Sequence, residues 1–383
     1  MNIFEAINQW FENRWVAPAY SGWLLLGLAI FFFAAATNTM VGWLYVISGT
    51  MIALLAIASV LPPLVLKHLQ VKRSPISPIS AGNTIQVELH LVNPTPRPKT
   101  LFEVYDLLPI VLAPPQRHTV EFVPAQDSYR WVYSQPAPRR GIYRWHTVQL
   151  RTAAPLGLFW CRRTVQSPAT AIVYPRDLNL SQCPLLDEIG TDTHHFIQSR
   201  QQSHGATEGL TRALRPYRWG DPTRLVHWRT SARYGELRVR ELEVLTGGQA
   251  VVIGLDSAIA WDDEDCFEQA VTAATSLYFY ALRQNLSVQL WTAATGLVRG
   301  DTAVLETLAG VTMQEDAQDS HIRFPNCPWI WLSQTPAHLA QLPPDSRGII
   351  WGAIAPSHPH SCLRIQPHQL LQPQLQASAS TPG

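Results

Sequence analysis

The chain has 383 residues, 46% hydrophobic and only 15% charged, where an ordinary globular protein carries about 25% charged residues. Its 29 Lys and Arg nearly balance 28 Asp and Glu, leaving a net charge of +1. That balance excludes a globally basic nucleic-acid coat, an acidic tail protein and a charge-rich disordered chain. The five scattered cysteines, with no C-x-x-C pair, imply neither a disulfide scaffold nor a structural zinc site.

The apolar excess lies at the start. Residues 15–66 contain no Asp, Glu, Lys, Arg or His. Within them, YSGWLLLGLAIFFFAAA (20–36) and VGWLYVISGTMIALLAIASVL (41–61) flank the polar break TNTM. Each run is near the length a helix needs to cross about 30 Å of hydrocarbon. Two membrane spans are therefore predicted, at about 20–38 and 41–66, with the lipid bilayer as partner of residues 20–66. Trp15, Tyr20, Trp23, Trp43 and Tyr45 sit near the span ends, as interfacial rings do. A secretory signal fits poorly, because the amino end is not basic and the apolar stretch comes twice. Arg14, Lys67, Lys72 and Arg73 flank the pair while its turn is uncharged, which predicts both ends and the body in the cytoplasm.

From residue 71 the pattern changes to short alternating runs punctuated by Pro and Gly. NTIQVELHLVN (83–93), LFEVYDLLP (101–109), HTVEFVP (118–124), SYRWVYS (128–134), GIYRWHTVQLRT (141–152) and TAIVYP (170–175) read as strands of an antiparallel sandwich. No catalytic constellation stands out among them.

The most distinctive segment, 205–245, carries eight arginines against five acidic residues. It reads as an extended stretch to Tyr217, a turn at WGDP, a helix capped by Asp221 with Pro222 in its first turn, and an extended LRVRELEVL. Guanidinium forks bind carboxylates and phosphates. The segment is thus either a surface for an acidic partner or an internal ion-pair network. Candidate partner contacts are Arg215, Tyr217, Asp221, Arg224, His227, Trp228, Arg229, Arg233 and Arg240. Nothing points to nucleic acid.

Residues 246–367 alternate apolar strands (247–258, 287–293, 327–334, 347–355, 361–367) with helices at 265–283 and 301–310. This predicts a mostly parallel sheet with helices on both faces. Residues 368–383 are polar and low in complexity, and are expected to be disordered. The predicted organisation is α+β and multidomain: hairpin 1–70, β-sandwich 71–177, arginine-rich segment 178–245, α/β domain 246–367 and tail 368–383.

The arginine-rich run is similar to the signature of the bacterial domain-of-unknown-function family 58. It matches through Arg215, Tyr217, Gly220, Asp221, Arg224, His227, Trp228, Ser231, Ala232, Arg233, Arg240, Glu241 and Glu243. The hairpin, the RRGIYRW turn (139–145) and the PLGLF element (155–159) follow in the family's order, so the resemblance covers nearly the whole chain. It implies a von Willebrand factor A-like α/β domain and work beside a MoxR-type AAA+ ATPase in envelope or complex assembly; the sequence carries no glycine-rich phosphate loop, G-x-S-x-G elbow or H-E-x-x-H motif, so a non-enzymatic scaffold or adaptor is expected. The resemblance also implies a divalent-cation motif, Asp-x-Ser-x-Ser. Here the motif reads Asp256-Ser257-Ala258-Ile259-Ala260, so both serine positions are alanine and only Asp256 fits. No cofactor is expected, and Asp256 is the one candidate ligand for Mg2+. Two other readings stay open: a cation-dependent protein-binding module using Asp256, and a cell-envelope hydrolase.

Overall fold

A computed structural model describes residues 10–189, 210–216, 228, 231–232, 236–243, 250–316, 327–343, 345–352 and 361–377. The chain divides into two units, Met1–Tyr174 and Pro175–Gly383.

The first unit opens with a helical turn at 10–14 and a two-residue strand, β1 (Ala17–Pro18), followed by helices α1 (Tyr20–Thr39) and α2 (Gly42–Leu66). At 1.5 Å per residue these helices span about 30 and 37 Å. Both are long and apolar enough to cross a membrane. They meet along a seam that includes the buried Ala29 and Ala36 on α1 and Ser48 and Leu55 on α2. Small residues let the backbones approach, and the buried Ser48 hydroxyl donates across the seam to the Ala29 carbonyl at 2.8 Å. Away from the seam, Leu24, Phe31, Phe33, Ile52, Leu54 and Ile57 are exposed, as are the five aromatic rings near the helix ends.

Two sheets follow, antiparallel except where β3 pairs with β9. Their strands are β2 (Gln70–Arg73), β3 (Ile79–Ser80), β4 (Thr84–Asn93), β5 (Lys99–Asp106), β6 (Gln116–Val123), β7 (Asp127–Pro136), β8 (Gly141–Thr152) and β9 (Phe159–Tyr174). One sheet runs β1-β9-β8-β5-β6 with β3 alongside β9, and the other runs β2-β4-β7. Period-two alternation turns Ile85, Val87, Leu89 and Leu91 of β4 inward. They share one core with Phe102, Val104, Trp145, Val148 and Leu150 of the larger sheet. The strand expected at 170–175 begins eleven residues earlier, at Phe159. Pro168 concealed this: it falls where the β8–β9 register shifts between Trp145 and Thr147, and a bulge tolerates its missing N–H.

A polar network lies between the sheets. Asp106 of β5, fully buried, accepts a fork from Arg73 of β2, the Tyr133 hydroxyl at 2.7 Å and Trp145 Nε1 at 3.1 Å. Burial and the neighbouring carboxylate push the Tyr133 phenol upward. Arg73, expected among the charges flanking the hairpin, is therefore an interior residue. Its stem follows β2 inward and its charge is spent on Asp106, leaving Lys67 and Lys72 to mark that end.

The sheets hold the hairpin root. Ala19 N and Ser21 Oγ donate to the carbonyls of Leu158 and Gly157, both at 2.8 Å. Lys99 Nζ donates to the Leu64 carbonyl at 2.8 Å in the last turn of α2, where a cation complements the helix dipole. A Cβ on Gly22 would lie 2.3 Å from Leu158 O, so α1 can approach the sheet there only as glycine.

The second unit carries an antiparallel pair, β10 (Leu210–Pro216) and β11 (Arg238–Glu243), and a six-stranded sheet. The sheet strands are β12 (Ala250–Leu255), β13 (Ser287–Thr292), β14 (Gly296–Val298), β15 (Trp329–Ser333), β16 (Arg347–Ile350) and β17 (Cys362–Arg364). Their order is β14-β13-β12-β15-β16-β17, parallel except for β14. Helix α3 (Glu264–Arg283) is capped by Asp263, whose side chain accepts from Asp265 N. It has acidic residues in its first turn and Arg283 in its last, complementing its dipole. Its Ala270, Ala273, Ala274 and Leu277 pack on Val251, Ile253 and Leu255, together with Val304 and Leu308 of α4 (Asp301–Gly310). The opposite face buries Trp329 and Trp331 with Val252, Leu339 and Ile350.

Two boundaries differ from expectation. Residues 178–189, assigned above to the arginine-rich segment, place Leu180, Cys183, Leu185, Leu186 and Ile189 in the core under α3. The tail expected to be disordered forms a short helix, α5 (Leu371–Leu375), with Leu375 fully buried. Its glutamines are structural: Gln372 Nε2 reaches Asn179 O at 2.8 Å and Gln376 Nε2 reaches Ser181 Oγ at 2.9 Å. Residues 378–383 lie outside the described residues.

Candidate functional site

Asp256 follows the carboxyl end of β12. The neighbours β13 and β15 lie on opposite sides of that strand, so the chain's connections diverge there, at the position where open α/β sheets form their ligand crevice. With Val252 and Gly254, Asp256 belongs to the tryptophan face of the sheet. Its Oδ2 accepts from Ser333 Oγ at 2.9 Å, and its carbonyl accepts from Trp261 Nε1 at 2.9 Å. Asp256, Ser257 and Ser333 are all buried.

Ser257 faces the other way. Its hydroxyl donates to Glu315 Oε2 at 2.7 Å and accepts from Ala293 N at 3.0 Å. Glu315 also accepts from Thr312 N at 3.1 Å. Asp262 is tied to Gln334, with Asp262 N donating to Gln334 Oε1 at 2.9 Å. Asp263 caps α3. The acidic side chains near Asp256 thus have separate partners, and among the described residues no group of three His, Cys, Asp or Glu converges as cation ligands do. Sequence reasoning singled out Asp256 but missed Ser333 and Glu315, whose roles come from strand order rather than local pattern.

Burial is the main cause that raises the Asp256 carboxyl above its ordinary 3.8, opposed by the Ser333 hydrogen bond and the nearby His338 charge. A raised folded-state pKa means that the stability this group contributes is full below the unfolded value and is lost as pH rises through the folded value. Asp256→Asn retains an acceptor for Ser333 and removes that loss. The variant is expected to unfold at the same or a higher temperature than the parent near pH 7, with any gain vanishing below about pH 3.8. Millimolar Mg2+ that stabilises the parent but not Asp256→Asn in thermal unfolding would instead make Asp256 a cation ligand.

The second candidate surface is the arginine-rich segment. Strands β10 and β11 pair Leu214 with Arg240 and Arg215 with Val239, bringing the two ends of the segment onto one ribbon. Trp228 is helical and 66% exposed, while Ser231 is buried. Tyr217, Asp221, Arg224, His227, Arg229 and Arg233 lie outside the described residues.

No family model matches the chain, and no curated protein matches it. Among solved structures, the solution structure of the CARDB domain of a Pyrococcus furiosus protein is 12% identical over 27% of this chain and 94% of that one, at a TM-score of 0.21. The crystal structure of the same domain with di-metal ions is 14% identical over 28% and 91%, at 0.20. A Listeria innocua beta-glucosidase in complex with glucose is 13% identical over 26% and 16%, at 0.15. Scores this low carry no argument about fold or function.

Proposed function

We propose that this chain is a membrane-anchored, non-enzymatic scaffold or adaptor of domain-of-unknown-function family 58, working with a MoxR-type AAA+ ATPase in envelope or complex assembly. It spans a bacterial plasma membrane twice and holds its body in the cytoplasm. The observation that carries the reading is the hairpin: two consecutive apolar helices bury only a narrow seam and leave their other faces exposed, a surface suited to lipid and costly in water. Uncharged residues at its turn, and Lys67 and Lys72 at its root, support the orientation.

The two sheets around one core support a β-sandwich body. The sheet order and the position of Asp256 beyond the end of β12 support an A-type domain. The ribbon joining both ends of the arginine-rich segment supports that segment as a built unit for an acidic partner. The test is affinity capture of the detergent-solubilised full chain from its native cells, with and without ATP and magnesium, read by mass spectrometry. An AAA+ ATPase is expected in the eluate, reduced at least about tenfold by Arg224→Glu with Arg233→Glu, roughly the effect of losing 1.4 kcal/mol. Equal recovery with a folded double variant removes the arginine segment as the contact.

A further inference from the structure

On the outer face of the larger sheet, Arg151 of β8 stands directly opposite Arg162 of β9. Like charges in cross-strand register repel, and the pair needs an anion between them. Glu12, from the helical turn before α1, supplies one carboxylate. It accepts from Arg151 Nε at 2.6 Å and is ion-paired at 3.4 Å to Arg162 Nε, a buried N–H with no hydrogen-bond partner among the described residues. Arg117 extends the cationic set from β6 and is paired to Glu103. Among the described residues of this cluster, three guanidiniums thus face two carboxylates, Glu12 and Glu103.

These arginines line a cavity of ≈ 470 Å³ together with Tyr105 and Gln149. Arg151 also lines a neighbouring cavity of ≈ 240 Å³, walled mainly by apolar groups such as Leu101, Pro155 and Trp160, with Glu103, the partner of Arg117, and Thr119 also in its lining. The second cavity lies at the hairpin root, because its Gly157 carbonyl takes the Ser21 hydroxyl of the first turn of α1. Leu101 (57%) and Leu156 (45%) are exposed beside it. Moving away from the root, the surface therefore passes from apolar walls to an arginine cluster with an orphaned N–H.

We infer that the adjoining cavities form a binding site for an anionic phospholipid. The phosphate lies at Arg117, Arg151 and Arg162, and the glycerol and first acyl carbons lie against Leu101, Pro155 and Trp160. The recognised group is a phosphate monoanion or dianion, which guanidinium forks bind with two parallel hydrogen bonds. The apolar walls select a lipid over a free phosphate, and basic pockets beside membrane helices take such headgroups. This inference rests on the membrane reading given above.

The test uses the full chain in detergent micelles doped with phosphatidylglycerol, phosphatidylcholine or, in a separate arm, free glycerol 3-phosphate, read by thermal unfolding. Phosphatidylglycerol is expected to raise the unfolding temperature by at least about 3 °C over phosphatidylcholine. Arg117→Gln with Arg162→Gln should remove at least half of that increment, and free glycerol phosphate should give none. If Arg162→Gln loosens Glu12 and lowers the baseline, Arg117→Gln alone is the variant, since its side chain is largely exposed. An equal increment in parent and variant, or no increment in the parent, overturns the site. A full increment from glycerol phosphate overturns the lipid as its source. In vesicles, a chain washed off at alkaline pH fails the membrane reading and this site with it, whereas a retained chain without lipid preference fails the site alone.

Discussion

Arg73→Met is expected to destabilise the β unit by about 3–5 kcal/mol, because it strands a buried carboxylate among neutral donors. Asp106 loses a two-pronged partner and keeps only the Tyr133 hydroxyl and Trp145 Nε1. Arg73 and Tyr133 belong to one sheet and Asp106 and Trp145 to the other, so the loss falls on the contact between sheets. Removing both charges together is a different perturbation. Arg73→Met with Asp106→Leu and Tyr133→Phe leaves only the Trp145 N–H without its acceptor and should recover most of the loss, since apolar replacements of buried ion pairs are often neutral. Denaturant unfolding of the full chain in detergent measures both. A cost below about 1 kcal/mol for Arg73→Met would mean a solvated pair.

The second large effect is in the α/β unit. Trp331→Ala is expected to cost about 3–5 kcal/mol, the usual range for emptying a fully buried aromatic site. Gly254 stands opposite Trp331 on β12, and a Cβ there would lie 2.5 Å from the ring. Gly254→Ala alone should therefore cost about 1–3 kcal/mol as overpacking. The two positions must couple: in Trp331→Leu, the smaller side chain admits the methyl and the Gly254→Ala penalty should largely disappear. Thermal unfolding of the parent, Gly254→Ala, Trp331→Leu and the double variant forms the cycle. Additive penalties would show that the ring does not lie over Gly254.

These two clusters also show what local pattern conveys and what it hides. Apolar run length placed the hairpin, and period-two alternation placed β4 and β8, at their observed positions, because each signal is complete within one element. Arg73 was legible only as a positive charge after an apolar helix; its burial depends on Asp106, thirty-three positions away. The long β9 was masked by Pro168 and the Arg162–Arg163 pair, and β14 is only three residues. Polar composition mispredicted the tail, where two leucines and the glutamine amides anchor a helix that sequence complexity does not register. At the candidate site, Asp256 was visible as a carboxylate ending a strand. Ser333 became its partner only through the order of strands across the sheet, which no spacing in the chain records.

The most direct test of the account is the sidedness of the hairpin. In a Cys327→Ser background, the remaining native cysteines are buried, so introduced cysteines can be read with a membrane-impermeant maleimide on spheroplasts. Asn38→Cys, at the exposed end of α1, should be labelled in intact spheroplasts, while Ser128→Cys on the β unit should be labelled only after permeabilisation. Labelling of Ser128→Cys from outside, or protection of Asn38→Cys until lysis, would contradict a hairpin that crosses the bilayer and returns to its body.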